Sequence, residues 1–461
     1  MALPEIRSVF SIYDELPLSV RPTYFYNVRA AIFGGVSMGI GGMLGNIAAK
    51  VLGASEWELA LYASVGGAGM LMAFFWGGVA QRRRKMPMVF WPSVISASIF
   101  FLLGLVTESW LFCLLAGLID LVGNVGAPAR AGILSANYPA RIRGMITGFV
   151  SRWAMLIAAI VGFAGSKLVG HPDYNWTYKG LLPLGGFCAL VAAFIYVRIR
   201  VRGENRLEEA EAEDEAEPAT FRPFAALQVL RSDRRFRTYM IDFFIFGLAN
   251  LMLSPVIPIV LRDDLGADLN AMQITTSIIP QVLGVLTIGL WGRVLDRSNP
   301  IVMRGWMNMV WALLPVCYFL AFLVPRTDLS VNLYFWRWAV PMPLLVVWVG
   351  SFFQGVVASG QGLVWTLGAM YFARKEDVPL YQGVHIGLTG VRSLGGAFLG
   401  PVMVAWFGGG AEGRQRLFLF VTLAMVLSGL LMFKLAVRMR REAGGRLPSI
   451  AEREAQETDA G

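Results

Sequence analysis

The chain has 461 residues, of which 56% are hydrophobic and only 15% are charged, whereas soluble domains carry about 25% charged residues. This composition excludes a soluble globular protein and predicts a polytopic membrane protein. The formal net charge of +9, taken alone, is consistent with nucleic-acid binding. The basic residues lie where a membrane topology requires them, however, so no nucleic-acid partner is predicted.

Apolar runs long enough to cross a membrane fill the chain almost from end to end. A membrane-spanning helix needs about 20 apolar residues and a strand of a membrane barrel about 9 to 11, so runs of this length predict helices. The fold class is therefore all-α, with twelve transmembrane helices. The predicted spans are 25–48, 57–80, 87–106, 110–136, 144–169, 180–198, 239–261, 272–293, 303–324, 342–372, 382–407 and 416–437.

The pattern of the first six spans repeats in the last six. Thr23-Tyr24 recurs as Thr238-Tyr239 at the start of the first span of each half. Trp76-Gly77 recurs as Trp291-Gly292 at the end of the second span, at the same offset of 215 residues. Two duplicated halves in a membrane protein are typical of transporters.

Basic residues set the predicted orientation. With the amino terminus inside, and with basic residues in the four positions at each end of a span assigned to the adjacent side, 28 of the 40 basic residues fall on the inner side, 8 on the outer side and 4 deeper within spans. The positive-inside rule therefore places both termini in the cytoplasm. The acidic stretch 204–217 is interpreted as a solvated linker between the halves. Whether it also binds a partner stays open. The predicted division is a cytoplasmic segment (1–22), a six-helix bundle (23–200), a charged cytoplasmic linker (201–236), a second six-helix bundle (237–440) and a cytoplasmic tail (441–461).

Two short loops carry related motifs after the second span of each half. One copy reads Gly292-Arg293-Val294-Leu295-Asp296-Arg297, and the other reads Gly77-Gly78-Val79-Ala80-Gln81-Arg82. Together with twelve spans and a long charged central loop, these motifs resemble the major facilitator superfamily of secondary transporters. The resemblance covers residues 22 to 440. Gln81 departs from it, because the family carries an aspartate at that place.

The resemblance implies that the motif loops form a conformational latch. Its residues are Gly77, Gln81, Arg82, Gly292, Asp296 and Arg297. The glycines would let each helix end approach a neighbouring helix closely. Asp296 would face the positive end of the fifth span, near residues 141–144. Gln81 brings no charge, so the latch of the first half is expected to be weaker.

No catalytic or cofactor motif is found. The chain has no phosphate-binding GxxxxGK sequence, and Gly39-Ile40-Gly41 lacks the preceding strand of a dinucleotide site, so it predicts close helix packing. Only two histidines are present, and the three cysteines fall inside apolar runs without a metal-binding spacing. No enzymatic activity, metal or cofactor is therefore predicted.

Charged residues inside the spans are energetically costly, which makes them candidates for a substrate or coupling site. Asp120 and Arg392 lie about 15 Å along their helices and Arg152 about 12 Å, near the middle of a hydrocarbon core of about 30 Å. Asn124 lies one turn beyond Asp120. The resemblance implies that these side chains face water or substrate. The alternative is an ion pair between Asp120 and Arg152, with Arg392 bonded to backbone carbonyls.

Five more polar residues are candidates. Gln354 and Gln361 are seven residues apart and share one face of the tenth span, where they line the cavity or join helices. His385 either carries a coupling proton or is a satisfied interfacial histidine. Asn27 and Asp242 are equivalent at the offset of 215 and lie near the cytoplasmic mouth, where they form a gate or snorkel to the interface.

The sequence predicts a monomeric multi-pass protein of the plasma (inner) membrane, embedded in the lipid bilayer, that moves a small organic solute by alternating access. Two cations against one anion at mid-depth favour an anionic or zwitterionic solute. Coupling to a proton or ion through Asp120 or His385 stays open. One alternative is an exporter of drugs or amphipaths, which is favoured by the aromatic residues of the seventh and tenth spans, the spans that line the cavity according to the resemblance. The other is a non-transporting sensor with the same fold.

Overall fold

The computed structural model describes residues 12–202, 223–333, 336–369, 371–373 and 378–448. The backbone of both motif loops is included. The side chains of Gln81, Arg82, Asp296 and Arg297, the surroundings of Gly77, and most of residues 141–144 lie outside the described set. The latch contacts expected of these residues, and the acidic stretch 204–217, therefore stay predictions.

Each predicted span corresponds to one helix or to consecutive helices, which confirms the all-α fold with its twelve spans. In the described part of the chain, eleven of the spans are long and apolar enough to cross a membrane. The spans are span 1 (Arg21–Gly41 and Leu44–Lys50), span 2 (Glu56–Arg82), span 3 (Lys85–Leu103), span 4 (Ser109–Val125 and Ala127–Asn137), span 5 (Ala140–Val169), span 6 (Tyr178–Tyr196), span 7 (Arg234–Ile259, then a π-helix Val260–Asp264), span 8 (Leu269–Gln273, a π-helix Ile274–Ile278, and Ile279–Arg297), span 9 (Pro300–Trp311 and Leu313–Ala321), span 10 (Met342–Leu367), span 11 (Val378–Trp406) and span 12 (Gly410–Glu442).

Two of the helix interruptions follow from proline. Pro128 and Pro315 lie just after the breaks in spans 4 and 9. A proline has no N–H to donate, and its ring clashes with the carbonyl four residues earlier. The first helix of each span therefore stops at Val125 and at Trp311.

The chain forms two compact units. Unit 1 comprises Met1–Leu44 and Val65–Phe221, and unit 2 comprises Gly45–Ser64 and Arg222–Gly461. In unit 1, span 1 packs on spans 5 and 6, and span 3 packs on spans 4 and 6. In unit 2, span 7 packs on spans 11 and 12, and span 9 packs on spans 10 and 12. The pairs 1 with 5 and 3 with 6 thus recur as 7 with 11 and 9 with 12, which the sequence repeat predicts.

Glycine packing is confirmed at two positions of span 1. A Cβ at Gly35 would lie 2.8 Å from the carbonyl oxygen of Ala154, and one at Gly39 would lie 2.6 Å from that of Ala158. Only glycine lets the backbones of spans 1 and 5 come this close. At Gly292 a Cβ would meet nothing within 4 Å among the described residues, so the close helix approach expected there stays a prediction.

A β-hairpin between spans 9 and 10 was not predicted. Its strands, Asp328–Leu333 and Trp336–Pro341, pair antiparallel with Leu333 opposite Trp336. The register brings the apolar residues of 329, 331 and 333 opposite those of 340, 338 and 336. This alternation with polar residues is a strand pattern, but the segment is short and adjoins a long apolar run.

Candidate functional site

Asp120 and Asn124 lie where span 4 packs against span 2 in unit 1. A Cβ at Gly66 would lie 3.0 Å from the Cβ of Asp120, and one at Gly69 would lie 2.7 Å from the carbonyl oxygen of Leu121. Asn124 donates a hydrogen bond through Nδ2 to the carbonyl of Gly66 at 3.4 Å. Asp120 itself is exposed. Two glycines on span 2 therefore bring the helices together without covering the carboxylate.

Arg152 and Arg130 are two of the cations within the spans of unit 1. Arg152 is half-buried, and its guanidinium carbon lies 5.0 Å from the ring centre of Phe149, one turn earlier on span 5. Arg130 is exposed, and its Nη2 lies 3.5 Å from the hydroxyl of Ser93 on span 3. The sequence analysis did not single out Arg130, although an arginine within an apolar span is itself an indication of function.

Asn27 joins span 1 to the end of span 4. It is buried and donates a hydrogen bond through Nδ2 to the hydroxyl of Tyr138 at 3.1 Å. A neighbouring amide, Asn137, donates to the Thr23 hydroxyl at 3.0 Å. The alternative that Asn27 snorkels to the interface is therefore wrong, because its amide is bound inside unit 1.

Asp242, the equivalent residue of unit 2, is also buried, with 2% of its surface exposed. It does not snorkel either. No hydrogen bond of ordinary geometry reaches either carboxylate oxygen from the described residues. The Arg304 guanidinium and the Ser428 hydroxyl are its polar neighbours. The repeat has thus placed a neutral, bonded amide in one unit and a buried carboxylate in the other.

A chain of buried hydrogen bonds starts at Arg304 on span 9. Its Nη1 donates to Oε1 of Gln361 at 2.8 Å, and Nε2 of Gln361 donates to Oδ1 of Asn308 at 2.9 Å. Nδ2 of Asn308 then donates to the hydroxyl of Ser428 at 2.8 Å. With Asp242, these four residues make a buried polar cluster that joins spans 7, 9, 10 and 12.

Aromatic rings surround the Arg304 guanidinium. Its central carbon lies 3.9 Å from the ring centre of Phe243 and 5.3 Å from that of Phe246. Such rings attract a desolvated cation through their negative faces. Only 2% of the Arg304 surface is exposed, so the rings and Gln361 take the place of water.

Part of this cluster was predicted from the sequence. Gln361 and Asp242 were among the candidate site residues, whereas Arg304, Asn308 and Ser428 were not. Arg304 lies only four residues after Pro300, where a basic residue usually marks the end of a span. The serine and asparagine carry no pattern of their own, since their importance depends on neighbours from other spans. Gln354, the other glutamine of the predicted pair, is half-buried.

His385 and Arg392 of span 11 pack against Phe243. The His385 ring is fully buried, with its centre 4.3 Å from that of Phe243 and 5.4 Å from that of Trp365. Neither ring nitrogen has a hydrogen-bond partner among the described residues. His385 is thus buried among aromatic side chains, and its two interpretations, a coupling proton or a satisfied histidine, stay predictions. Arg392 donates through Nη1 to the Phe243 carbonyl at 2.6 Å, which is the backbone bond that the sequence analysis left open.

The candidate residues divide between the two units. Unit 1 holds Asn27, Asp120, Asn124 and Arg152, and unit 2 holds Asp242, Gln354, Gln361, His385 and Arg392. In unit 2, Gln361 belongs to the buried polar cluster with Asp242, while His385 and Arg392 share the ring of Phe243 with Arg304. In unit 1, the charged side chains at mid-span are exposed or half-buried instead.

Comparison with known proteins decides the family. A family model of the Major Facilitator Superfamily matches residues 28–340, which is more than half of the chain. The chain belongs to the major facilitator superfamily. Among curated proteins it is similar to the multidrug resistance protein MdtG of Salmonella paratyphi C (strain RKS4594), with 24% identity over 232 residues, or 49% of this chain and 53% of the relative.

The MdtG protein of Klebsiella pneumoniae (strain 342) is 23% identical over 228 residues, or 49% of this chain and 52% of the relative. The chain spans about half the length of the curated relatives that it matches. These relatives therefore support membership of the superfamily, without carrying their activity to this chain.

Solved structures of this superfamily share the fold. A peptide transporter, POT, in complex with alafosfalin has a TM-score of 0.64 at 14% identity and covers 91% of this chain and 95% of its own. A D-xylose-proton symporter has a TM-score of 0.62 at 13% identity and covers 92% and 98%. A nucleoside transporter, NupG, has a TM-score of 0.60 at 15% identity and covers 89% and 99%.

Proposed function

We propose that this chain is a secondary transporter that moves a small anionic or zwitterionic organic solute across the membrane by alternating access. The observation that carries the proposal is Asp120, an exposed carboxylate in the middle of an apolar span. Charged side chains at membrane depth face a protein interior or a water-filled cavity. An exposed carboxylate at that depth is therefore expected to face water or a solute.

The charges of unit 1 favour the class of solute. Asp120 is accompanied by Arg130, which is exposed, and by Arg152, which is half-buried. Two cations and one anion suit a solute that carries a carboxylate or phosphate, with or without an amine. Arginine also binds such groups with two parallel hydrogen bonds, which adds specificity to charge attraction.

Transport assays on purified protein in liposomes test this function. The panel is radiolabelled amino acids, organic acids and lipophilic cationic dyes. We expect uptake of a charged organic acid or amino acid, and we expect Arg152→Gln to reduce it about tenfold or more, since a hydrogen bond to a charged group contributes about 1.5 to 3 kcal/mol. Arg152→Lys should also weaken transport, because the fork geometry is lost.

Lys167 offers a matched control. It lies on the same span 5 and also places its charge over a phenylalanine ring, with Nζ 6.0 Å from the ring centre of Phe163. Lys167→Gln should leave uptake unchanged. Equal losses at both positions would show that Arg152 supports the helix and does not bind the solute.

Export of lipophilic drugs is the second candidate, and the similarity to MdtG proteins favours it. Such a transporter would extrude the cationic dyes and would need Asp120 more than Arg152. Transport of dyes alone, insensitive to Arg152→Gln, would replace the first candidate by the second.

We also propose that a proton drives the transport and that Asp242 carries it. A buried carboxylate with the Arg304 guanidinium and the Ser428 hydroxyl as polar neighbours has two states, charged and protonated. When it is charged, it attracts the guanidinium. When it is protonated, it releases Arg304 to Gln361 and the aromatic rings, and this difference offers a way to couple protonation to the packing of spans 7, 9 and 10.

A further inference from the structure

Residues 45–64, which run from the end of span 1 into the first turns of span 2, belong to unit 2, and polar contacts hold them there. The segment contains the short helix Leu44–Lys50, a loop, and the start of span 2 at Glu56. All the groups that bind it lie in helical turns near the span ends that the basic residues predict to be external. The contacts come from three places along the segment.

The first contact is made by Arg414 in the first turn of span 12. Its Nε and Nη2 donate to the two carboxylate oxygens of Asp264 at 2.7 and 2.8 Å, and its Nη1 donates to Oε1 of Glu56 at 3.1 Å. The exposed fractions of these side chains are only 13% for Arg414, 13% for Glu56 and 8% for Asp264. One guanidinium thus binds two carboxylates away from most of the water, where such bonds are strongest.

The second contact is made by Arg262. Its Nη1 donates to the carbonyl oxygens of Ala49 at 2.5 Å and Ala54 at 3.0 Å. Ala49 lies in the last turn of the helix Leu44–Lys50, where carbonyls have no partner within the helix and carry partial negative charge. Arg262 therefore caps this helix from unit 2, while Asp263 holds its other nitrogens at 2.6 and 2.9 Å.

The third contact is made by Asn46, which donates to Oε1 of Gln273 and to the hydroxyl of Thr276, both at 2.9 Å. Arg262 and Thr276 lie in the π-helices Val260–Asp264 and Ile274–Ile278, Gln273 directly precedes the second of them, and Asp264, which holds Arg414, ends the first. A π-helical turn is rare and is frequently found at functional sites. Here the two π-helices carry Arg262 and Thr276, which bind residues 45–64 directly, and Asp264, which holds Arg414 of span 12.

We propose that these contacts form an external latch, with Arg414 at its centre, that holds residues 45–64 on unit 2 in one state of the transport cycle and is released in another. The proposal rests on alternating access as the proposed function. Asp264 stays bound to Arg414 when Glu56 leaves, since it accepts two of the three hydrogen bonds. Glu56 is therefore the part of the latch that opens.

The labelling rate of a buried cysteine tests the latch without any solute. Ala54 is fully buried beside Arg262, so Ala54→Cys reports release of the segment. The background lacks Cys113, Cys188 and Cys317, and the reagent is a water-soluble maleimide added to purified protein. We expect Glu56→Gln to raise the labelling rate about tenfold, since a hydrogen bond between charged groups contributes about 1.5 to 3 kcal/mol.

Arg416 provides the matched control. It lies on the same turn of span 12 and pairs with Glu412, but the two side chains are 53% and 67% exposed. Exposed pairs contribute little, so Arg416→Gln should leave the labelling rate unchanged. Arg414→Lys should raise it, because a lysine cannot bind both carboxylates through a fork. Thermal unfolding of each variant separates release of the segment from loss of the fold.

Two results would overturn the latch: equal labelling in Glu56→Gln and the parent, or an equal rise in Arg416→Gln. A rise specific to Glu56 and Arg414 in a protein that transports nothing would keep the latch and remove the proposed function. Transport of a solute together with an unchanged labelling rate would keep the proposed function and remove the latch.

Discussion

Asn27 and Asp242 show how one position of a duplicated fold acquires two chemistries. The neutral amide is satisfied by a tyrosine hydroxyl, so it needs no charge nearby. The carboxylate is buried, and its charge interacts with that of Arg304. A buried charge that makes no close ion pair is costly for stability alone, which favours a functional use of Asp242.

Replacement of Asp242 tests proton coupling. Asp242→Asn keeps the size of the side chain and removes the charge. We expect uptake driven by an imposed pH gradient to fall at least tenfold, while exchange of labelled for unlabelled solute at equal pH persists, because only the proton-carrying step is lost. The assay compares the two modes in the same liposomes.

Glu412→Gln, which removes an exposed carboxylate of span 12, should change neither mode. Loss of both modes in Asp242→Asn, with normal thermal unfolding, would place Asp242 in solute binding and not in coupling.

Single residues could be predicted from the sequence when one span alone showed a polar side chain whose burial in the membrane costs free energy. Asp120, Asp242, His385 and Arg392 are conspicuous as polar groups among apolar ones. Asn308 and Ser428 are not, since their hydrogen bond joins positions 120 residues apart. The fully buried state of His385 also depended on Phe243 and Trp365 from two other spans, so its surroundings could not be read from span 11.

Helices were the most predictable elements, because hydrophobic length alone requires them in a membrane. The breaks in spans 4 and 9 follow from proline and lie within reach of the sequence. The two π-helices do not, since an extra residue in a helical turn leaves no pattern in apolar periodicity. The hairpin Asp328–Leu333 with Trp336–Pro341 had a strand pattern, but strand pairing needs both strands and their turn to be recognised together.

The contact between spans 1 and 5 allows a test with its own internal control. Gly39→Ala adds a Cβ 2.6 Å from the carbonyl oxygen of Ala158, so the helices must separate, and we expect a loss of about 1 to 3 kcal/mol. Gly34 lies five residues earlier, and a Cβ there meets nothing within 4 Å. Gly34→Ala should be neutral or stabilising by up to about 1 kcal/mol.

Thermal unfolding of the two purified variants gives the comparison. A similar midpoint for both would mean that spans 1 and 5 adjust to the added methyl group and that their close approach is not required.

The orientation of the whole molecule rests on the 28 to 8 distribution of basic residues. Arg83 and Asp173 are both exposed and lie in loops predicted to be on opposite sides. In the cysteine-free background, Arg83→Cys should react with an impermeant reagent only after the membrane is opened, whereas Asp173→Cys should react in intact cells. Glu412→Cys should behave like Asp173→Cys. Reaction of Arg83→Cys in intact cells would reverse the orientation.

The grouping of residues 45–64 with the C-terminal bundle means that the boundary between the duplicated sequences is not the boundary between the compact units. A fragment that begins at Arg222 would lack Glu56 and the carbonyls of Ala49 and Ala54, so Arg262 and Arg414 would lose partners. A chimera joined at the central loop would therefore receive a C-terminal half that lacks residues 45–64 of its own compact unit. A chimera that takes its C-terminal half from this protein and its N-terminal half from a relative needs residues 45–64 of this chain as well.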